Sequence, residues 1–187
     1  QQIGAPVVEI FREYFRETGR KIALQIEPGT YLAANMGCII AEISALATTG
    51  SAGYLFYKLN CGMTEILRPS LYGAQHPLTV VSADPADEAS DRATVQAIVV
   101  GHCCESGDIL TPLPADPEGL APRALHQAKP GDLMVVGGAG AYCAAMSSKN
   151  YNSFPEAAEV LIRTNGEAVL IRTRQSLEQI VQNEVIL

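Results

Sequence analysis

Seven short runs of apolar and β-branched residues, separated by turn-rich spacers, limit most strongly what this chain can fold into. The spacing predicts a mainly β fold, either an antiparallel sandwich or a barrel. The two-residue turn Asn165-Gly166 lies between the last two runs and is a strong hairpin signal. The runs are Ala34–Ala47, Tyr54–Leu59, Leu78–Ser82, Thr94–Val100, Leu133–Val136, Val160–Arg163 and Ala168–Arg172.

The segments outside these runs have other patterns. Pro6–Thr18 has apolar residues at helical spacing and is followed by the apolar stretch Lys21–Ile26, which predicts one helix and one strand of an α/β repeat. A parallel strand needs neighbours, so we expect this unit to belong to something larger or to a partner. Asp84–Asp91 and Leu113–Ala128 are predicted loops, and Ser176–Val185 is a predicted closing helix.

Composition excludes several classes of protein. The chain of 187 residues has 13 Lys and Arg against 20 Asp and Glu, a net charge of −7, which argues against a nucleic-acid partner. No apolar run reaches the roughly 18 residues of a membrane span, and we expect neither a signal peptide nor a membrane partner. Five cysteines without metal-ligand spacing favour free thiols in the reducing cytoplasm.

Two turn segments carry groups suited to anions. Glu27-Pro28-Gly29-Thr30 follows the predicted α/β strand, where barrel loops often bind phosphate through backbone N–H groups. Arg68 and Tyr72 are four residues apart on a segment stiffened by Pro69, and both side chains can converge on a carboxylate. The alternatives are an ordinary turn and a solvated surface charge.

A third segment, Gly101–Asp108, places the thiol of Cys104 beside the carboxylate of Glu105 at the end of an apolar strand. A thiol there can donate a proton and a carboxylate can bind a cation, although a tight polar turn explains the same residues. His102 has no second ligand at metal spacing, so we reject a zinc site.

A fourth segment, Gly137–Tyr142, is rich in glycine and precedes a predicted short helix that extends through Met146. Such a run can face an anion, but it lacks the dinucleotide-binding pattern. Asn150–Ser153 is interpreted as a turn.

The order of these motifs is more specific than any one of them. The chain reads E-P-G-T, then G-M-T-E-I-L-R-P-S-L-Y-G-A-Q-H, then C-E-S-G-D, then G-A-Y-C-A-A-M-S-S-K-N-Y-N-S, and finally A-E-V-L-I. From about Ile3 to the closing helix it resembles the C-terminal half of the diaminopimelate decarboxylase family. That family belongs to the alanine-racemase-like (fold type III) decarboxylases that depend on pyridoxal 5'-phosphate.

The resemblance implies a two-part architecture. Residues 1–32 would be the C-terminal remnant of a pyridoxal-phosphate-binding (β/α)8, or TIM, barrel, and residues 33–187 a C-terminal β-sandwich or Greek-key barrel domain. It also implies a homodimer with active sites at the subunit interface and the Cys104–Glu105 pair contributed to the neighbouring subunit's site.

The resemblance also assigns roles to residues. Cys104 would donate a proton and Glu105 would recognise the far end of the substrate. The cofactor-binding residues would be Glu27, Pro28, Gly29, Thr30 and Tyr142, and the substrate-binding residues would be Arg68, Tyr72, Glu105, Tyr142 and Thr30. The implied reaction is loss of CO₂ from meso-diaminopimelate, a small-molecule amino-acid substrate, to give L-lysine.

Two alternatives stay open: a sister decarboxylase for ornithine, arginine or carboxynorspermidine, and a non-catalytic β module that only dimerises. Glu105 favours diaminopimelate over the substrates of the sister decarboxylases, because those enzymes tend to carry Asp after the catalytic Cys. Thr30 departs from the family's usual Arg in E-P-G-R. The Schiff-base lysine of the family matches none of the lysines here (Lys21, Lys58, Lys129 and Lys149), so we expect these residues alone not to catalyse decarboxylation.

Overall fold

The structure is a computed structural model that describes residues 4–185. Residues 1–3 and 186–187, at the ends of the two predicted units, lie outside the described residues. The helices are α1 (Gly4–Thr18), α2 (Thr30–Ala33), α3 (Arg68–Tyr72) and α4 (Leu177–Ile180). The strands are β1 (Ile39–Thr48), β2 (Leu55–Leu59), β3 (Leu78–Val81), β4 (Thr94–Val100), β5 (Pro112–Leu113), β6 (Asp116–Leu120), β7 (Arg123–His126), β8 (Leu133–Val136), β9 (Glu159–Ile162) and β10 (Ala168–Arg172).

Six strands form one sheet in the order β3-β8-β1-β2-β4-β7. Its two edge strands, β3 and β7, approach each other, and residues of both line one cleft, so the sheet is a nearly closed barrel. The mainly β prediction is confirmed, and of the two alternatives the structure has the barrel. The antiparallel prediction is wrong for one pair: β2 and β4 are parallel, because α3 and β3 lie in the long connection between them.

Strand β1 joins the two halves of the sheet. Its first residues pair with β8, its last pair with β2, and a register shift lies between Ile43 and Ala45. Inside the barrel, Tyr57 is fully buried; its hydroxyl donates to the His126 carbonyl and accepts from the Ala128 N–H, both at 3.2 Å. Such pairing offsets the cost of burying a polar atom in an apolar core.

Helix α1 confirms the predicted amphipathic helix. It ends where Gly19 adopts a φ of +68° and donates its N–H to the Phe15 carbonyl.

The predicted strand Lys21–Ile26 is wrong. This segment is exposed and has no ladder partner among residues 4–185, and a strand without a neighbour has no hydrogen bonds to hold it. Within the same range, no helix has the length and apolar character needed to cross a bilayer.

Three further sequence predictions need correction. The predicted strand Ala34–Ala47 begins only at Ile39, because α2 and a 3₁₀ turn precede it. The predicted loop Leu113–Ala128 contains β6 and β7. Its prolines do not interrupt the main sheet, because Pro117 lies in the two-stranded ribbon of β5 and β6, and Pro114 and Pro122 lie outside the strands. The predicted helix Ser176–Val185 is a single turn, α4, closed by a capping box between Ser176 and Gln179. In contrast, β9 and β10 form the predicted hairpin, with Gly166 at a φ of +84°.

A cluster of polar side chains around Arg92 links several of the connections between the barrel strands. The Arg92 guanidinium, with a side chain only 10% exposed, bonds the carboxylates of Asp87 and Asp132, the Ser82 hydroxyl at 2.9 Å and the Gln127 carbonyl at 3.1 Å. Hydrogen bonds from Arg92 and Lys129 lower the pKa of Asp87 to about 2. Both carboxylates are therefore charged at neutral pH.

We expect Arg92→Ala to lower the midpoint of thermal unfolding at pH 7 by on the order of 5–10 °C, because it leaves a buried carboxylate without its cation. The carboxyl pKa values are depressed by folding. The stabilisation is thus complete above about pH 4 and is lost as the pH falls towards 2. The difference between wild type and variant should shrink over that range in calorimetry. The control is Arg163→Ala, which removes an exposed ion pair to Glu167 and should change the midpoint little. Equal effects of both variants would contradict this account.

Candidate active site

The loop between Val100 and Ile109 carries the predicted thiol and carboxylate. These two residues form an isolated antiparallel bridge, so residues 101–108 make a closed loop at the end of β4. The Gly101 N–H donates to the Asp108 carbonyl at 2.8 Å, and the Asp108 N–H donates to the Glu105 carbonyl at 3.1 Å. The loop is thus held closed by its own backbone.

The side chain of Asp108 fixes this loop to the rest of the barrel. It is 4% exposed, and its two oxygens accept the N–H groups of Met63 and Cys103 at 2.8 and 2.9 Å. The carboxylate lies in a slot that only glycine permits, since a Cβ atom on Gly62 or Gly101 would lie 2.3 or 2.2 Å from Asp108 Oδ2. Sequence reasoning missed this role, because nothing in the motif indicates that Gly62 faces Asp108.

His102 supports the loop through its side-chain contacts. Its ring stacks on Phe154 at 3.6 Å between centroids and 9° between planes, and its Nε2 lies 2.7 Å from Thr64 Oγ1. The Thr64 hydroxyl donates to Glu65 at 2.6 Å, so His102 Nε2 is the donor to Thr64. Burial lowers the pKa of His102, so the ring is neutral near pH 7.

The two vicinal cysteines differ in environment. Cys103 is half-buried, and burial together with Asp108 raises the pKa of its thiol to about 12. Cys104 is exposed, and its backbone N–H donates to Asn152 Oδ1 at 2.8 Å. The chain therefore presents Cys104, and not Cys103, to a molecule arriving from solvent.

Glu105 is exposed beside Cys104 and carries a negative charge. Its carboxylate accepts the Gly107 N–H at 3.1 Å, the Ser106 hydroxyl at 3.3 Å and the Tyr151 hydroxyl at 3.4 Å. These donors, led by the Gly107 N–H, lower the pKa of Glu105 below its ordinary value. An exposed carboxylate that stays ionised can bind an ammonium group.

A second group of predicted residues meets at the start of the barrel. Gly29, just before α2, lies against Tyr142: a Cβ atom built on Gly29 would be 2.7 Å from the Tyr142 hydroxyl oxygen. The contact is maintained by backbone hydrogen bonds from Ala139 to Gly37 at 2.8 Å and from Gly140 to Ala34 at 2.9 Å. The E-P-G-T turn and Tyr142, far apart in sequence, therefore lie side by side.

The glycine run does not start a helix, so that prediction is wrong. Residues 140–146 form successive turns, and Tyr142 has a φ of +57°, which is incompatible with a right-handed helix. Gly140 serves close packing instead, since a Cβ atom there would lie 2.0 Å from the Ala33 carbonyl oxygen.

Arg68 and Tyr72 lie on the single-turn helix α3, with the guanidinium 5.9 Å from the Tyr72 ring centroid. Burial lowers the pKa of His76 and raises the pKa of Cys143, and the positive charge of Arg68 acts on both groups in the lowering direction. Arg68 therefore lies near Cys143, the residue that follows Tyr142. Across residues 4–185, no hydrogen bond or ion pair links Cys104 or Glu105 to Arg68, Tyr72 or Tyr142. Within the described residues, the loop pair Cys104 and Glu105 is therefore not joined by a direct bond to the other predicted site residues, which we treat as a second group.

We expect Gly101→Ala to lower the free energy of unfolding by about 1–3 kcal/mol, because the new methyl group must displace the buried Asp108 carboxylate. Gly107→Ala is the matched control in the same loop, since its Cβ atom would meet only ordinary contact at 3.6 Å from Glu105 Oε1. Urea unfolding of both variants measures the difference. Similar stabilities for the two variants would show that the slot is not tight.

Comparisons with known proteins agree with the motif order. The family described as "Pyridoxal-dependent decarboxylase, C-terminal sheet domain" matches residues 30–140. Diaminopimelate decarboxylase of Escherichia coli K12 is 38% identical over 173 residues, which cover 91% of this chain and 39% of the relative. The enzyme of Streptomyces coelicolor is 38% identical over 176 residues, or 93% of this chain and 38% of the relative.

Solved structures give the same result. A crystal structure of diaminopimelate decarboxylase superposes with a TM-score of 0.79 at 36% identity, covering 94% of this chain and 40% of that one. The Helicobacter pylori enzyme complexed with L-lysine has a TM-score of 0.66 at 29% identity, covering 84% and 34%. The chain spans about two fifths of the length of these relatives. It therefore belongs to the family of C-terminal sheet domains of the pyridoxal-dependent decarboxylases.

Proposed function

We propose that these residues are the C-terminal part of a pyridoxal-phosphate-dependent diaminopimelate decarboxylase, which converts meso-diaminopimelate to L-lysine and CO₂. The single observation that carries the proposal is the closed loop that presents an exposed thiol, Cys104, beside an ionised carboxylate, Glu105. The similarity to diaminopimelate decarboxylases supports the choice of substrate, as does the relative crystallised with L-lysine.

The cofactor fits the second group of residues. Gly29 has no side chain, so the turn lies directly against the Tyr142 hydroxyl. No side chain caps the start of α2, so the first backbone N–H groups of this turn are not bonded by a capping side chain. Phosphate suits such donors. Glu27, Pro28, Gly29, Thr30 and Tyr142 would hold the cofactor. When bound, pyridoxal phosphate supplies an electron sink for the electron pair left on the substrate carbon as CO₂ departs.

The chain's own residues then have distinct tasks. Arg68 binds the carboxylate that the substrate retains, helped by Tyr72 and Tyr142, because its guanidinium can donate two parallel hydrogen bonds. Glu105 attracts the far ammonium group. Cys104 transfers its Sγ proton to the carbon that lost CO₂, and the resulting thiolate recovers a proton from solvent, to which it is exposed. Thr30 can offer one hydroxyl donor where the family usually has Arg.

The two groups lie on one chain without a bond between them, which suits a homodimer in which Cys104 and Glu105 complete the neighbour's site. We infer that residues 1–32 contribute to a barrel and residues 33–187 form the β domain. We also infer that these residues alone do not catalyse decarboxylation, because no lysine here matches the Schiff-base lysine of the family. The five unpaired thiols, all within residues 4–185, support a reducing compartment such as the cytoplasm.

In the complete gene product, we expect Cys104→Ala to reduce turnover of meso-diaminopimelate by about 100-fold or more while the protein still dimerises, because the proton donor is lost. Cys38→Ala, which removes another exposed thiol, is the matched control and should leave turnover unchanged. Coupled detection of released CO₂ gives the rate, and gel filtration gives the oligomeric state. Full activity of Cys104→Ala would contradict the role of Cys104 as proton donor, whereas no turnover by the wild-type gene product would favour the non-catalytic module.

The same assay with ornithine and arginine separates the sister decarboxylases from the leading proposal. Glu105 predicts that meso-diaminopimelate has the highest kcat/KM. A higher value for ornithine or arginine would reassign the substrate while leaving the family unchanged.

A further inference from the structure

We propose that Tyr151 and Asn152 are positioning residues that hold the active-site loop in two different ways. Asn152 fixes the main chain of Cys104, and Tyr151 fixes the carboxylate of Glu105. We call this pair the 151–152 clamp. The inference rests on the proposed function of Cys104 and Glu105 and adds two residues to which the motif comparison gave no task.

The contacts of the clamp are specific to each partner. Asn152 Oδ1 accepts the Cys104 N–H at 2.8 Å, and the Tyr151 hydroxyl donates to Glu105 Oε2 at 3.4 Å. Tyr151 and Asn152 thus bond the neighbouring residues Glu105 and Cys104, which lie 46 and 48 positions earlier in the chain. In the described part of the chain, the Cys104 N–H donates no other hydrogen bond, so Asn152 alone restrains this amide.

The clamp is itself anchored on both sides. Asn150 Nδ2 donates to the Phe154 carbonyl at 3.0 Å and to the side chain of Gln175, whose backbone N–H donates to the Glu156 carbonyl at 3.1 Å. Phe154 stacks on His102 at 3.6 Å. The segment that includes Tyr151 and Asn152 therefore contacts the active-site loop at three residues, His102, Cys104 and Glu105. These contacts support the loop along its length.

The backbone of the clamp is unusual. Asn150, Asn152 and Ser153 have φ values of +60°, +52° and +62°, a left-handed conformation that asparagine tolerates better than most residues. Asn152 thus supplies both the conformation and the acceptor. Glycine would keep the conformation and lose the acceptor, whereas aspartate would keep both.

The two contacts should affect different kinetic constants. The Cys104 N–H is next to the Cα that carries the thiol, so releasing it misdirects the proton donor and lowers kcat. The Tyr151 hydroxyl orients the carboxylate that attracts the far ammonium, so releasing it weakens substrate binding and raises KM.

The experiment measures kcat and KM for meso-diaminopimelate in the complete gene product with pyridoxal phosphate. We expect Asn152→Gly to lower kcat about 10- to 100-fold with KM little changed, and Asn152→Asp to restore most of kcat. We expect Tyr151→Phe to raise KM about 3- to 10-fold with kcat nearly unchanged. Tyr54→Phe, at an exposed tyrosine that meets Phe56 edge-on, is the matched control.

Thermal unfolding of each variant shows that it is folded, and Asn152→Gly should match wild type because glycine accepts the left-handed conformation. Wild-type kcat in Asn152→Gly, together with loss of activity in Cys104→Ala, would overturn the clamp and leave the proposed function standing. An equal fall in kcat for the Gly and Asp variants would also overturn it. Full activity of Cys104→Ala would instead overturn the proposed function and the clamp with it.

Discussion

The buried carboxylate of Asp108 is the constraint on which the arrangement of the loop depends. It accepts N–H groups from Met63 and Cys103, which belong to two connections that meet only in the folded barrel. Gly62 and Gly101 leave just enough room for it. A charge taken out of water is tolerated when hydrogen bonds satisfy it, and here those bonds also set the position of the next two residues, Cys104 and Glu105.

A second close approach, between Gly29 and Tyr142, brings together the other predicted site residues. Gly29 contacts Tyr142, and Gly140 packs on the backbone near Ala33, so the E-P-G-T turn and a phenol are held together by glycines instead of by side-chain bonds. In the proposed enzyme, this group binds the cofactor and the carboxylate, while the loop supplies the proton and the charge for the far ammonium. In this proposal, the two groups come from different subunits and together complete each site.

Local patterns predicted the strands well and their surroundings less well. The bounds of β4, β8 and β10 agree with the sequence, because their apolar runs end at clear turn residues. Lys21–Ile26 has an equally apolar run but no neighbour in the described chain, and pairing decides whether such a run is a strand. The order of motifs identified the candidate residues. It did not identify the roles of Asp108 or Asn152, because the fold determines their hydrogen-bond partners. An Asn-rich turn predicts a left-handed backbone, but it does not predict that the Asn152 side chain accepts the Cys104 N–H.

The central claim is that Cys104 acts across a subunit interface on a molecule held by Arg68, and mixed dimers test it most directly. Complete gene products carrying Cys104→Ala or Arg68→Ala should each be almost inactive. After the two are unfolded together and refolded in equal amounts, half of the dimers contain one of each chain, and one of their two sites is intact. The account predicts recovery of about a quarter of wild-type activity. No recovery, with mixed dimers demonstrated by differently tagged chains, would contradict it, because both residues would then serve the same chain's site.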